Sequence, residues 1–226
     1  MHRASAYYFI ALLLLAIPAF WPTYLFPPKY ETDWHVHLHG AAMLAWMLLL
    51  VAQASLIATR RNDIHRRLGK VSYALVPLIV VSTLLLAHYR LRHTINEELL
   101  YFFVVQLALL GVLALAYGLA MANRKRPALH MRYMVCTSLT LVDPILARIL
   151  FHAAGTGFPA GKVVTYALTD AILAVLAWID WRGGQRQRVY LSMLGVFIAA
   201  QIPTFFLYKL PAWRQLAEWY ASLPLP

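Results

Sequence analysis

The sequence predicts an all-α polytopic transmembrane helical bundle, and three observations carry the prediction. Its 226 residues are 62% hydrophobic with a mean hydropathy of +0.62, above the roughly 45–50% apolar usage of a soluble domain. Apolar runs long enough to cross a bilayer core, about 20 residues at 1.5 Å each, recur along nearly the whole chain. Basic residues gather in alternate loops, as they do on the cytoplasmic side of membrane proteins. Backbone amides in hydrocarbon have no water to bond, so each run is expected to be a helix that closes its own hydrogen bonds.

Seven spans are read in order: Ser5–Phe26, His39–Thr59, Leu68–Tyr89, Leu99–Met121, Tyr133–Ala153, Val163–Ile179 and Val189–Tyr208. The first starts basic and passes through "ALLLLAIPAF", which a signal peptide also does. Its long apolar run and bulky Tyr, Trp and Pro flanks favour a retained span, and cleavage would leave six. Connections are too short for a second domain, so 1–226 reads as a single transmembrane domain. Residues 209–226 form a possible interfacial amphipathic tail, because Trp213, Leu216, Trp219 or Tyr220, and Leu223 recur near helical spacing. Cys136 is the only cysteine, which excludes an intramolecular disulfide.

The charge of +11 would suggest nucleic acid in a soluble protein. Here its location decides. Arg60, Arg61, Arg66, Arg67 and Lys70 follow span two; Arg124, Lys125, Arg126 and Arg132 follow span four; Arg182, Arg186 and Arg188 follow span six. This bias places the N-terminus inside and the C-terminus outside, and makes anionic lipid at the inner face the expected partner rather than nucleic acid. Lipid-facing and partner-facing helix surfaces look alike in sequence, so a homo-oligomer or a larger membrane complex stays open.

Two stretches echo each other: Ala58 to His88 and Ala122 to His152 each run from a basic loop through His-x-Arg to a histidine at the far end. His65 then pairs with His130 and His88 with His152, as in a same-orientation repeat of spans two-three and four-five. The alternative is that any basic loop followed by an apolar helix looks this way.

Ionisable side chains inside spans are costly unless paired or hydrated, which makes each a functional candidate. Asp143 and Arg148 fall in span five and Asp170 in span six; counted from the outer ends, the two acids share a depth of roughly 12–13 Å. They are candidates for proton relay or ligand orientation, with Arg148 to hold an anionic group. In "VDPIL", Pro144 frees a backbone carbonyl, and a kink there would open space beside Asp143.

"HVHLHG" puts three histidines into positions 35 to 40. With Asp33 as helix cap, His35 and His39 lie one turn apart on one face and His37 points elsewhere. An i, i+4 histidine pair suits a metal, and His35, His39, His88 and His152 are the candidate ligands for Fe, Zn or Cu. His88 and His152 are also candidate axial ligands for one outer b-type haem. Two haems are disfavoured, because His65 and His88 are 23 residues, roughly 34 Å, apart along a helix. The plainer alternative is that histidines at a helix end sit in the interface, and His65 and His130 read best as contacts to lipid phosphate. No nucleophile elbow, CxxC pair, HExxH box or phosphate loop is present.

"HLHGAAMLAWMLLLVAQASLIATRRNDIHRRLG", "KRPALHMRYM" with "ILARIL" behind it, and "AWIDWRGGQRQR" together resemble a family of uncharacterised small bacterial multi-pass membrane proteins. The resemblance covers about half the chain and implies topology and a bacterial inner membrane, with no activity attached. "HRRLG" is more loosely similar to the histidine-led helix starts of cytochrome b-type membrane proteins, from which this sequence departs in lacking a mid-helix histidine pair. Two functions follow as expectations. One is an outer-half His/Asp/Arg site for a metal ion or b-type haem, in a membrane redox component. The other is a cofactor-free carrier or binding bundle built on Asp143, Arg148 and Asp170, with an accessory-subunit role as a further alternative.

Overall fold

The structure is a computed structural model that describes residues 2–25, 33–154, 158–184 and 188–226, with side chains omitted at 2–4, 22–23, 152–154 and 158–160. Every regular element among the described residues is helical: α1 His2–Phe20, α2 Trp34–Ala58, α3 Asn62–Gly69, α4 Ser72–His93, α5 Glu97–Ala122, α6 Pro127–Leu139, α7 Val142–Ala154, α8 Phe158–Arg182, α9 Val189–Gln201 and α10 Pro211–Ser222. A π turn, Trp21–Leu25, follows α1, and short 3-10 turns at Ile202–Phe205 and Leu207–Lys209 follow α9.

Six stretches are long and apolar enough to cross a membrane: Trp34–Ala58, Asn62–His93, Glu97–Ala122, Pro127–Phe151, Gly161–Arg182 and Val189–Lys209. The first expected span is realised as a shorter apolar helix, Ser5–Phe20 within α1, with prolines at 18 and 22 disturbing its end. Spans three and five are each made of two helices. In span five the division falls at Thr140–Leu141, because Pro144 has no N–H to return to the Thr140 carbonyl. In span three it falls at Lys70–Val71, a different register relative to His-x-Arg.

Local signals start and stop the helices where polar groups need partners. Asp33 caps α2 by accepting from the His35 amide at 2.9 Å, and prolines open α6 and α10. Arg60 turns the chain out of α2 with a φ of 60°, a left-handed conformation costly for a side-chain-bearing residue. Gly184 adopts 68° after α8 at no such cost.

The fold divides into two compact units, Met1–Phe103 with Tyr208–Pro226, and Val104–Leu207. In the first, α2 packs against α1, α3 and α4, and α10 lies on α4. In the second, α8 packs against α7 and α9, and α6 against α9 and α7. The core of each is apolar, around Trp46, Ile79 and Leu86 in the first and Leu139, Leu173 and Met193 in the second.

Candidate functional site

In the first unit the opening of α2 separates its three histidines as helical phase requires. His35 is 4% exposed; its ring stacks on Trp34 at 3.8 Å and on Tyr89 at 4.9 Å. Its Nδ1 meets the Asp33 carboxylate and its Nε2 donates to the Pro226 carbonyl at 2.8 Å. His37 turns the other way, toward the Tyr24 hydroxyl at 2.8 Å. His39 faces α4, with Nδ1 at 3.4 Å from Ser82 Oγ and 3.3 Å from Thr83 Oγ1. The carboxyl of Asp33, outside the spans, is held below its ordinary range, chiefly by the His35 amide.

His88 is 1% exposed and donates from Nε2 to the Leu223 carbonyl at 3.0 Å, while the Tyr220 ring stands edge-on to it at 5.5 Å. Its Nδ1 is buried and has no hydrogen-bond partner among the described residues. The C-terminal segment is thus what His35 and His88 hold. Tyr220 adds a bond to the Leu84 carbonyl at 2.9 Å and Trp213 one to Leu100 at 3.1 Å. Among the described residues no group of three His, Cys, Asp or Glu converges as a metal site. The side chain of His152 lies outside the described residues, and His88 and His152 belong to different units.

The basic-loop ends of the spans hold two contacts that the sequence pattern did not reveal. His65 is bonded by Gln53, whose amide oxygen, with the nitrogen turned toward His65, accepts from the Gly69 amide at 2.9 Å. His130 donates to the Ala120 carbonyl at 2.9 Å. Both histidines therefore tie a helix start to the end of the preceding span, which is a packing role. Arg132, grouped above with lipid-facing bases, is 2% exposed and forks onto Asp180 with bonds of 2.6 and 2.8 Å.

The second unit contains the feature that looks most like a site. A partly enclosed cavity of about 20 Å3 is lined by Val105, Ala108, Leu109 and Val112 of α5, Asp143 of α7, Tyr166 and Thr169 of α8, and Phe197, Ala200, Gln201 and Thr204 at the α9 end. The surface it exposes is almost wholly apolar, although residues of the lining carry hydroxyls, an amide and one carboxyl group. Asp143 is 8% exposed and accepts from Thr165. Asp170 is half-buried and accepts from the Gln201 amide at 3.0 Å. Arg148 donates to the Pro144 carbonyl at 2.8 Å and interacts electrostatically with Asp143. Lys162, 8% exposed, donates to the Thr204 carbonyl at 3.3 Å and sits 4.2 Å over the Phe205 ring.

Of the predicted site residues, Asp143, Asp170 and Arg148 all fall in this unit, with Asp143 in the cavity wall and Asp170 linked to it through Gln201. Sequence reasoning missed Thr165, Tyr166, Thr169, Gln201 and Thr204. A signal existed: Lys162, Thr165, Tyr166 and Thr169 recur at i, i+3, i+4 and i+7, a polar stripe on an otherwise apolar helix.

Fold and composition define the class: the chain is an all-α, multi-pass integral membrane protein. Comparison with protein-family models, with curated proteins and with solved structures returns no match.

Proposed function

We propose that this protein is a cofactor-free membrane binding or carrier protein whose second unit takes a small ligand at Asp143. The observation that carries the reading is Asp143 itself, a buried carboxyl group in the lining of an otherwise apolar cavity inside a membrane span. Ionisable groups persist at such positions when they serve a pathway or a ligand. The enclosed volume, about 20 Å3, has room for one water-sized group, so the guest is no larger than a water molecule or a small ion. Pro144 contributes by parting α6 from α7 immediately before Asp143. Filling the space with Leu109→Trp is expected to abolish ligand-dependent thermal stabilisation of the purified protein, while His37→Ala leaves it intact. Equal responses from both variants would reject the reading.

One observation favours a second reading, in which a metal ion (Fe, Zn or Cu) or b-type haem binds in the first unit. The Leu223 carbonyl fixes the His88 tautomer and leaves a buried, bare Nδ1 lone pair, the arrangement that a ligating imidazole uses. His35 and His39 are the remaining candidates of that unit in that reading. Metal analysis and an absorption spectrum test it: a stoichiometric metal or a Soret band lost in His88→Ala would establish it. The basic loops support a cytoplasmic N-terminus, anionic lipid at the inner face and residence in a bacterial inner membrane.

A further inference from the structure

Helix α10 carries its apolar residues on two stripes. Trp213, Ala217 and Tyr220, at i, i+4 and i+7, turn toward α4 and α5. Leu216 and Trp219 beside them are 41% and 59% exposed. Ala217 alone of the twelve residues is buried, whereas α4 buries a row from Ser72 to Leu91. An element with so little burial opens at a lower free energy than the spans it lies on. Leu216 and Trp219 suit the membrane interface, so α10 can leave α4 while both stay there. What it leaves behind is polar. His88, 1% exposed, gives its Nε2 proton to the Leu223 carbonyl, and His35, 4% exposed, reaches the Pro226 carbonyl. The His88 Nδ1 lone pair has no hydrogen-bond partner among the described residues. A buried acceptor left unmatched is unfavourable, and its retention calls for a reason.

Resting on the reading of His88 as a metal or haem ligand, we propose that α10 and residues 223–226 form a movable cover that opens to load His88 and closes to trap what it has loaded. With the cover lifted, the imidazole is reachable and free to turn. With it closed, the Leu223 carbonyl again takes the Nε2 proton and fixes the tautomer whose lone pair is on Nδ1. A ligand held at Nδ1 favours the same tautomer that the closed cover favours. Ligand and cover therefore strengthen each other by the same factor. The bonds that hold the cover down are single ones, from Tyr220 to the Leu84 carbonyl and from Trp213 to the Leu100 carbonyl, beside those that His35 and His88 make to the tail.

Diethylpyrocarbonate, which acylates an imidazole only where it can reach it, reads the opening on the purified full chain in nanodiscs, with the label located by mass spectrometry. Tyr220→Phe removes the bond to Leu84 and Trp213→Phe the bond to Leu100. Each is expected to speed labelling of His88 about two- to tenfold, the shift in an opening equilibrium that one hydrogen bond supplies. His130, in the second unit, should be labelled at an unchanged rate. Unaltered labelling of His88 in both variants would overturn the cover. Equal acceleration at His130 would overturn it too, because that reports general loosening. Zinc, copper(II), iron(II) and haemin are then added one at a time to the unaltered protein. At least one is expected to slow both His88 labelling and hydrogen exchange across Pro211–Ser222, and His88→Ala should abolish the slowing of exchange. If His88 responds to the variants and to none of the four ligands, the cover stands and the metal or haem reading falls. Binding of one of them with exchange across Pro211–Ser222 unchanged would keep that reading and overturn the coupling.

Discussion

Arg132 and Asp180 show how much one side-chain pair can decide inside a membrane span. Both are almost fully buried, and the Arg132 guanidinium spends its donors on the Asp180 carboxylate and on the Ala128 carbonyl at 2.8 Å. Removing one partner leaves a buried charge alone, so Asp180→Asn or Arg132→Met should each cost about 3–5 kcal/mol of stability. Replacing both by leucine should recover most of that loss, as read by thermal unfolding in detergent. Asp33 gives a pH dependence with a definite sign. Its folded value is depressed, so its contribution is complete above the unfolded carboxyl value of about 3.9 and is lost as pH falls through the lower folded value. Thermal unfolding followed below about pH 4 should therefore show an acid limb that Asp33→Ala flattens. At the neighbouring histidines, His35→Ala should destabilise more than His37→Ala, because only the first is buried between two rings.

Helix α10 returns to α4 through contacts from its aromatic residues. Tyr220 reaches the Leu84 carbonyl, and burial pushes its phenol above the ordinary tyrosine value. A raised phenol contributes stability that is complete below the unfolded value of about 10 and is lost as pH rises through the folded one. Tyr220→Phe should cost about 0.5–1.5 kcal/mol and speed hydrogen exchange across Pro211–Ser222. The break between α6 and α7 is the other element-level device. Pro144→Ala restores an N–H able to bond Thr140. It should raise thermal stability while weakening binding of the small guest at Asp143, since continuity of the helix removes the displacement beside Asp143. An unchanged affinity would show that the break does not shape the cavity.

Across the whole molecule, the alternating basic loops predict how the chain lies in the membrane. With Cys136 replaced by alanine, single cysteines at Asn62, Lys125 and Gly183 should be shielded from an impermeant thiol reagent in intact cells. Cysteines at Asn96 and Ser222 should react. Six of the spans were legible in the sequence, because a chain in hydrocarbon must close its backbone hydrogen bonds locally and twenty apolar residues permit only a helix. Asp143, Asp170 and Arg148 were legible for a related reason: charge inside an apolar run stands out without knowledge of its neighbours. Which face of each helix turns inward was not, because lipid and protein interior are both apolar and the pattern that separates core from solvent in a soluble helix is missing. The meeting of His35 with Pro226 or of Arg132 with Asp180 joins residues 191 and 48 positions apart, beyond the reach of any local periodicity. The sequence by itself thus determined the helices, their membrane setting and the residues out of place there. Only the tertiary structure decided which of these meet, because that depends on how helices rotate against one another, and many residues share in setting each rotation.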